Sequence, residues 1–211
     1  MSETCMMVLI VLDLALLGIS MVNTGILIVG LQGALLGAFV IAVNAPALSP
    51  RLFVIACAGI AIKGFLFPLL LRRTIKEANI QRDMNPFVGA SLSLLIGILM
   101  LASALWLGAE LPLTGVIRAP FTVPASFMTM FTGLFLIIAR KKALTQCLGY
   151  IVFENGIYAF GVAAVGEIPS LVELGLLLDA FVAVFVMGIA IYRINQEFDH
   201  MDADELRSLK G

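Results

Sequence analysis

The sequence predicts an all-α, polytopic membrane protein of about seven transmembrane helices, with its N-terminus outside and its C-terminus cytoplasmic. Three observations lead there. Hydrophobic residues make up 61% of the 211 and charged residues 13%, with a mean hydropathy of +1.08. A soluble domain sits near half apolar and a quarter charged, and one globule of this size cannot enclose so much apolar surface. The apolar stretches are long enough to cross a bilayer as helices, at about 20 residues each, rather than as barrel strands. Lysine and arginine gather on alternate connections, which orients the spans.

The segments expected to cross are approximately 5–22, 25–43, 52–71, 87–109, 122–139, 143–165 and 171–192. Residues 5–43 form almost one apolar run, interrupted by the polar "MVNTG". A single helix of that length would measure about 58 Å, roughly twice the hydrocarbon thickness. Two helices with a tight turn at Asn23–Gly25 are therefore expected. Arg72, Arg73, Lys76 and Arg82 follow the third segment, Arg140, Lys141 and Lys142 follow the fifth, and Arg193, Arg207 and Lys210 follow the seventh. Arg51 and Arg118 are the basic residues of the opposite side. This bias gives an outside start and an inside end, as an odd number of spans requires. The proline-broken stretches "NAPALSP" and "GAELPLTGVIRAPFTVP" read as outer loops. The opening "MSETC" is acidic and no small-residue cleavage site follows, so no removable signal peptide is expected.

The net charge of −1 offers no broad basic surface for nucleic acid; the expected partner is the lipid bilayer. Cys5, Cys57 and Cys147 show no CxxC spacing, and the single histidine, His200, lies in the polar tail. Neither a disulfide framework nor a metal, haem or iron–sulfur site is expected on this chain.

Five ionisable residues fall within or at the edge of spans: Asp13, Lys63, Glu154, Glu173 and Asp179. A charge at the bilayer centre costs about 2.5–3.5 kcal/mol on insertion scales, so each needs a reason. Glu154 lies about 16 Å from the inner end of segment six, and Asp179 about 20 Å from the inner end of segment seven. The short "GEIPS" connection makes these helices antiparallel neighbours, so both acids sit near the midplane. A buried carboxyl that gains and loses a proton suits a relay; a neutral, hydrogen-bonded structural acid is the alternative. Tyr150 and Tyr158 flank Glu154 at i−4 and i+4, forming a polar stripe. Glu173 falls in the first turn of segment seven, where a carboxylate favours the helix N-terminus, and is expected to be supporting and structural. Lys63 lies about 12 Å from the inner end of segment three, at a depth comparable to that of Asp13. It either pairs with Asp13 or with an acid of another subunit, or snorkels. Pro68 should kink the Lys63 helix or loosen its hydrogen bonds. "GALLG" at 33–37 is a GxxxG packing face.

From about residue 125 onward the chain resembles the small three-helix membrane subunit of respiratory complex I, the NuoK type, and its antiporter relative MrpC. "FTGLFLIIARKKALTQCLGYIVFEN" carries that likeness. The resemblance implies buried acids on a proton path, with Asp179 in the place of the third-helix acid. Glu154 departs from the pattern: the family's second-helix glutamate comes two residues after the shared glycine, where this chain has Ile151. The displacement to Glu154 is about one turn, roughly 4.5 Å along the axis, and keeps approximately the same face.

A longer resemblance covers nearly the whole chain. "GYIVFENGIYAFGVAA", "PSLVELGLLLDAFVAVFVMGIA", the closing "MDADELRSLKG" and Lys63 within "IKGFLFPLL" resemble the hydrogenase-4 component E family, long forms of the NuoK-like unit with additional N-terminal helices. It implies a four-helix membrane region over 1–121, a NuoK/MrpC-like three-helix unit over 122–194 and a cytoplasmic tail over 195–211. It further implies a non-catalytic membrane subunit of a group 4 [NiFe] hydrogenase or formate hydrogenlyase-type complex in a prokaryotic inner membrane. Nickel–iron and iron–sulfur centres would then lie on partner subunits, and the neighbours would be antiporter-like membrane subunits and peripheral hydrogenase subunits. Glu154, Asp179, Lys63 and Asp13 would contribute to a proton or sodium path, with Tyr150, Tyr158 and Glu173 in support. A subunit of a multisubunit cation/proton antiporter and a structural membrane anchor are the other functions compatible with these residues.

Overall fold

The computed structural model of the chain describes residues 2–44, 50–77, 88–111, 121–140 and 143–164. Segment seven, with Glu173 and Asp179, and the tail lie outside the described residues.

Those residues are all-helical. α1 spans Ser2–Gly18 and α2 Val22–Asn44. α3, Pro50–Ala61, continues through a π turn, Ile62–Leu66, into α4, Phe67–Glu77. α5 is Ala90–Glu110, α6 Thr122–Ala139 and α7 Ala143–Ala164. Three of these, over Val22–Val43, Ala90–Glu110 and Thr122–Ala139, are long and apolar enough to cross a membrane.

The α1–α2 break comes earlier than the sequence suggests. It falls at residues 19–21, and Asn23 and Thr24 belong to the first turn of α2, where the Gly25 N–H already bonds the Met21 carbonyl at 3.1 Å. Polar residues in a first turn sit where backbone N–H groups lack helical partners, so "MVNTG" marks a start rather than a turn. Pro50 stands at the first position of α3, where its missing N–H is not needed. Pro68 has the expected local effect. A proline cannot donate to the carbonyl four residues back, and just ahead of it the chain widens into the π turn, with the Phe67 N–H bonding the Ile62 carbonyl.

The core divides into two main apolar clusters. One holds Leu16, Val22, Ile26, Val29, Phe67, Leu71, Leu136, Leu148 and Val152; the other holds Met6, Leu9, Leu36, Phe39, Ala56, Ala125, Ala159 and Val162. α1 therefore leads from the second cluster to the first, α2 returns, α3–α4 lead back, α6 runs parallel to α1, and α7 parallel to α2. The two clusters mark the ends of an antiparallel bundle.

Small residues set the distances between helices. A Cβ on Gly149 would lie 2.9 Å from the Gly133 carbonyl oxygen, and one on Gly156 would lie 2.9 Å from that of Ser126. Only glycine allows α6 and α7 to approach so closely. On the "GALLG" face, Gly33 packs directly on the Lys63 side chain and Gly37 on Ile60, so this face seats α2 against the π turn. α5 is peripheral: 17% of its apolar span is buried, against 56% for α2 and for α6, and it shows Leu95, Ile98, Leu99 and Trp106 outward.

Candidate functional site

Between the two apolar clusters lies a layer of buried polar side chains. Each of the five rods named above enters it once. Asp13 falls between Leu9 and Leu16 on α1, Gln32 between Val29 and Leu36 on α2, and Lys63 between Ala56 and Phe67 in the π turn. Thr129 and Thr132 lie between Ala125 and Leu136 on α6, and Glu154 and Asn155 between Val152 and Ala159 on α7. These side chains are all buried, Lys63 being the most accessible at 7%. Polar groups removed from water need partners inside the protein, which fixes how the helices register at this level.

The layer contains two groups of contacts. In the first, Lys63 Nζ lies 2.7 Å from Glu154 Oε1 and donates to Asn155 Oδ1 at 3.3 Å. The same ammonium stands 5.3 Å from the centre of the Tyr158 ring, within range of a cation–π attraction. The π turn explains how Lys63 reaches this position. It inserts an extra residue into the helix just before Pro68, and glycine at position 33 lets the turn sit close to α2. In the second group, Asp13 Oδ1 lies 2.8 Å from Gln32 Nε2 and Asp13 Oδ2 lies 2.7 Å from Thr129 Oγ1. Four further atoms of the layer, Gln32 Oε1, Thr132 Oγ1, Glu154 Oε2 and Asn155 Nδ2, are buried with no hydrogen-bond partner among the described residues.

These contacts correct the pairing expected for Lys63. Lys63 meets Glu154 of the same chain rather than Asp13, which is held by Gln32 and Thr129. Depth alone, read from sequence, puts Lys63 level with Asp13 and Glu154 level with Asp179 without saying which helices touch. Tyr158 meets the pair with its ring face and packs against the second cluster, whereas Tyr150 packs against the first. Asp179 and Glu173 lie outside the described residues.

Four residues escaped sequence reasoning. Gln32 is the single polar side chain in the middle of α2, which is a signal in itself. Thr129 and Asn155 carry no such mark, since threonine and asparagine are tolerated in membrane helices. Arg140 counted as a loop charge, yet it is 2% exposed and its Nη2 approaches the Leu17 carbonyl at 3.5 Å. A cation there complements the C-terminal end of α1. Among the described residues, no group of three or more His, Cys, Asp or Glu is placed to hold a metal ion.

Long apolar helices packed around a buried ion pair and a layer of buried polar side chains are the features of a membrane protein. Residues 122–211 match the family NADH-ubiquinone/plastoquinone oxidoreductase chain 4L. The uncharacterized protein Rv0085 of Mycobacterium tuberculosis is 34% identical over 163 residues, covering 75% of this chain and 73% of that protein. Hydrogenase-4 component E of Escherichia coli strain K12 is 27% identical over 165 residues, 76% of this chain and 74% of its own length; the component E of Shigella flexneri matches to the same extent. No solved structure matches the chain. The chain belongs to the hydrogenase-4 component E family of NuoK-like membrane proteins.

Proposed function

We propose that the chain is a non-catalytic subunit of a redox-driven, ion-translocating hydrogenase complex of the formate hydrogenlyase type, and that its polar layer is a segment of the ion path. It would cross a prokaryotic inner membrane seven times, N-terminus outside, with a four-helix region over 1–121, a three-helix unit over 122–194 and a cytoplasmic tail. Antiporter-like membrane subunits and peripheral hydrogenase subunits are its partners, and the latter carry the nickel–iron and iron–sulfur centres. Glu154, Lys63 and Asp13 are stations of the path, and Asp179 supplies a further acid from segment seven. Tyr150, Tyr158 and Glu173 support them.

One observation carries this reading: the Lys63–Glu154 pair at 2.7 Å, buried to 7% and 2% exposure between the two apolar clusters. Ionisable residues inside a membrane bundle are functional by default, because hydrophobic side chains would pack there at lower cost. Glu154 Oε2 and Asn155 Nδ2, buried without hydrogen-bond partners among the described residues, are polar atoms of the kind that buried waters satisfy in proteins.

The test uses the assembled complex from native membranes. A charge-neutral Lys63→Gln/Glu154→Gln double variant keeps hydrogen-bonding side chains without leaving a lone charge. It is expected to copurify with the other subunits while ion movement per turnover falls. Unchanged ion movement in an intact complex would reject the path and leave a structural role.

A further inference from the structure

The contacts of Asp13 specify where a proton is. Thr129 Oγ1 lies 2.7 Å from Asp13 Oδ2 and 2.8 Å from the Ala125 carbonyl oxygen. Two oxygens at such distances need a proton between them, and a threonine hydroxyl supplies only one. With Asp13 ionised, two acceptors compete for that proton, and one contact becomes an approach of lone pairs with nothing between them. With Asp13 protonated on Oδ2, its O–H donates to Thr129 Oγ1 and the threonine O–H donates to the Ala125 carbonyl. Gln32 Nε2, 2.8 Å from Oδ1, then donates to the carbonyl oxygen of the acid. All three contacts are filled at once.

The surroundings point the same way. α1 packs against α2, α5 and α6. α2 and α6 contain no ionisable side chain, and that of α5 is Glu110 at its far end. On α1 itself the others are Glu3 and Cys5, two or more turns away. The two buried basic groups among the described residues are engaged elsewhere: Arg140 is directed at the Leu17 carbonyl, one turn along α1, and Lys63 is paired with Glu154. Asp13 is 0% exposed, and an isolated carboxylate in that position is costly.

We infer that Asp13 is a proton-binding site in its own right, holding a proton between its Oδ2 and Thr129, separate from the Lys63–Glu154 pair of the same layer. The inference stands whether or not the layer conducts ions. Infrared difference spectra of the full chain in lipid nanodiscs at neutral pH test it. Wild type minus Asp13→Asn should show the carbonyl stretch of one protonated carboxyl, moving to lower frequency in deuterium oxide. Asparagine keeps the pattern of one donor toward Thr129 and one acceptor toward Gln32, so this variant should fold. Thr129→Val leaves the acid proton without its acceptor, and the same band should move to higher frequency. Glu154→Gln should leave the band in place. Carboxylate stretches in place of the carbonyl band, or a carbonyl band indifferent to Thr129→Val, would overturn the inference.

Discussion

The Lys63–Glu154 pair can be taken apart one charge at a time. At an effective dielectric constant of about 20, two unit charges 2.7 Å apart attract by about 6 kcal/mol. Burying each ion costs several kcal/mol, so the pair as a whole contributes little net stability. The asymmetry appears when one partner goes. Lys63→Met leaves Glu154 with Tyr158 and Asn155 for company, and Glu154→Gln leaves a buried ammonium facing neutral acceptors. Each single variant should lose about 3–5 kcal/mol. The Lys63→Met/Glu154→Gln double variant leaves neither charge stranded and should lose far less than the sum, with a coupling of about 3 kcal/mol or more. Reversible unfolding of the purified chain in lipid bilayers, measured for all four proteins, gives the cycle directly. Losses that add to within about 0.5 kcal/mol would mean that the two side chains do not interact, and would refute the geometry.

Other perturbations test how the layer is positioned. Gly33→Ala puts a methyl group onto the Lys63 side chain; overpacking of this kind costs about 1–3 kcal/mol, and unfolding measurements should show it together with a smaller Lys63–Glu154 coupling. Pro68→Ala restores the backbone donor whose absence accompanies the π turn. The turn should relax toward α-helix and swing Lys63 off Glu154, which double-variant coupling measured in the Pro68→Ala background would report as a loss. Arg140→Met removes the donor at the Leu17 carbonyl and should cost about 1–3 kcal/mol, whereas Arg140→Lys should recover part of it; equal stability of all three proteins would show the contact to be idle.

Hydropathy and prolines made the helices legible, because a bilayer demands about 20 apolar residues and full backbone bonding from each crossing segment. Segment five, expected at 122–139, is α6 at Thr122–Ala139, and segment six ends one residue from α7. The α1–α2 turn was less legible, since a helix start and a turn recruit the same polar residues. Of the site, the ionisable members were visible because charge is scarce in an apolar chain. Their pairing was not: residues 63 and 154 are joined by helix packing, and the glycines and π turn that bring them together act through backbone distance. Gln32 and Thr129 were obscured for another reason. Uncharged polar side chains acquire meaning in a membrane helix only once their partner is known.

The pairing also bears on why this chain is longer than the part that matches chain 4L. The matched residues, 122–211, contain Glu154 and Asn155. The lysine that meets them comes from the π turn at Ile62–Leu66, and the glycine that seats this lysine comes from α2. The two side chains that hold Asp13 divide in the same way, with Gln32 on α2 and Thr129 on α6. Neither group of contacts is complete within the matched region. A helix pair carrying Glu154 alone would hold a buried carboxyl with no cation from the described residues, and such a group would shed its charge or draw in water. The N-terminal helices therefore change the chemistry of the unit they pack against: they supply a basic side chain beside one acid and, on another helix, a second acid in the same layer.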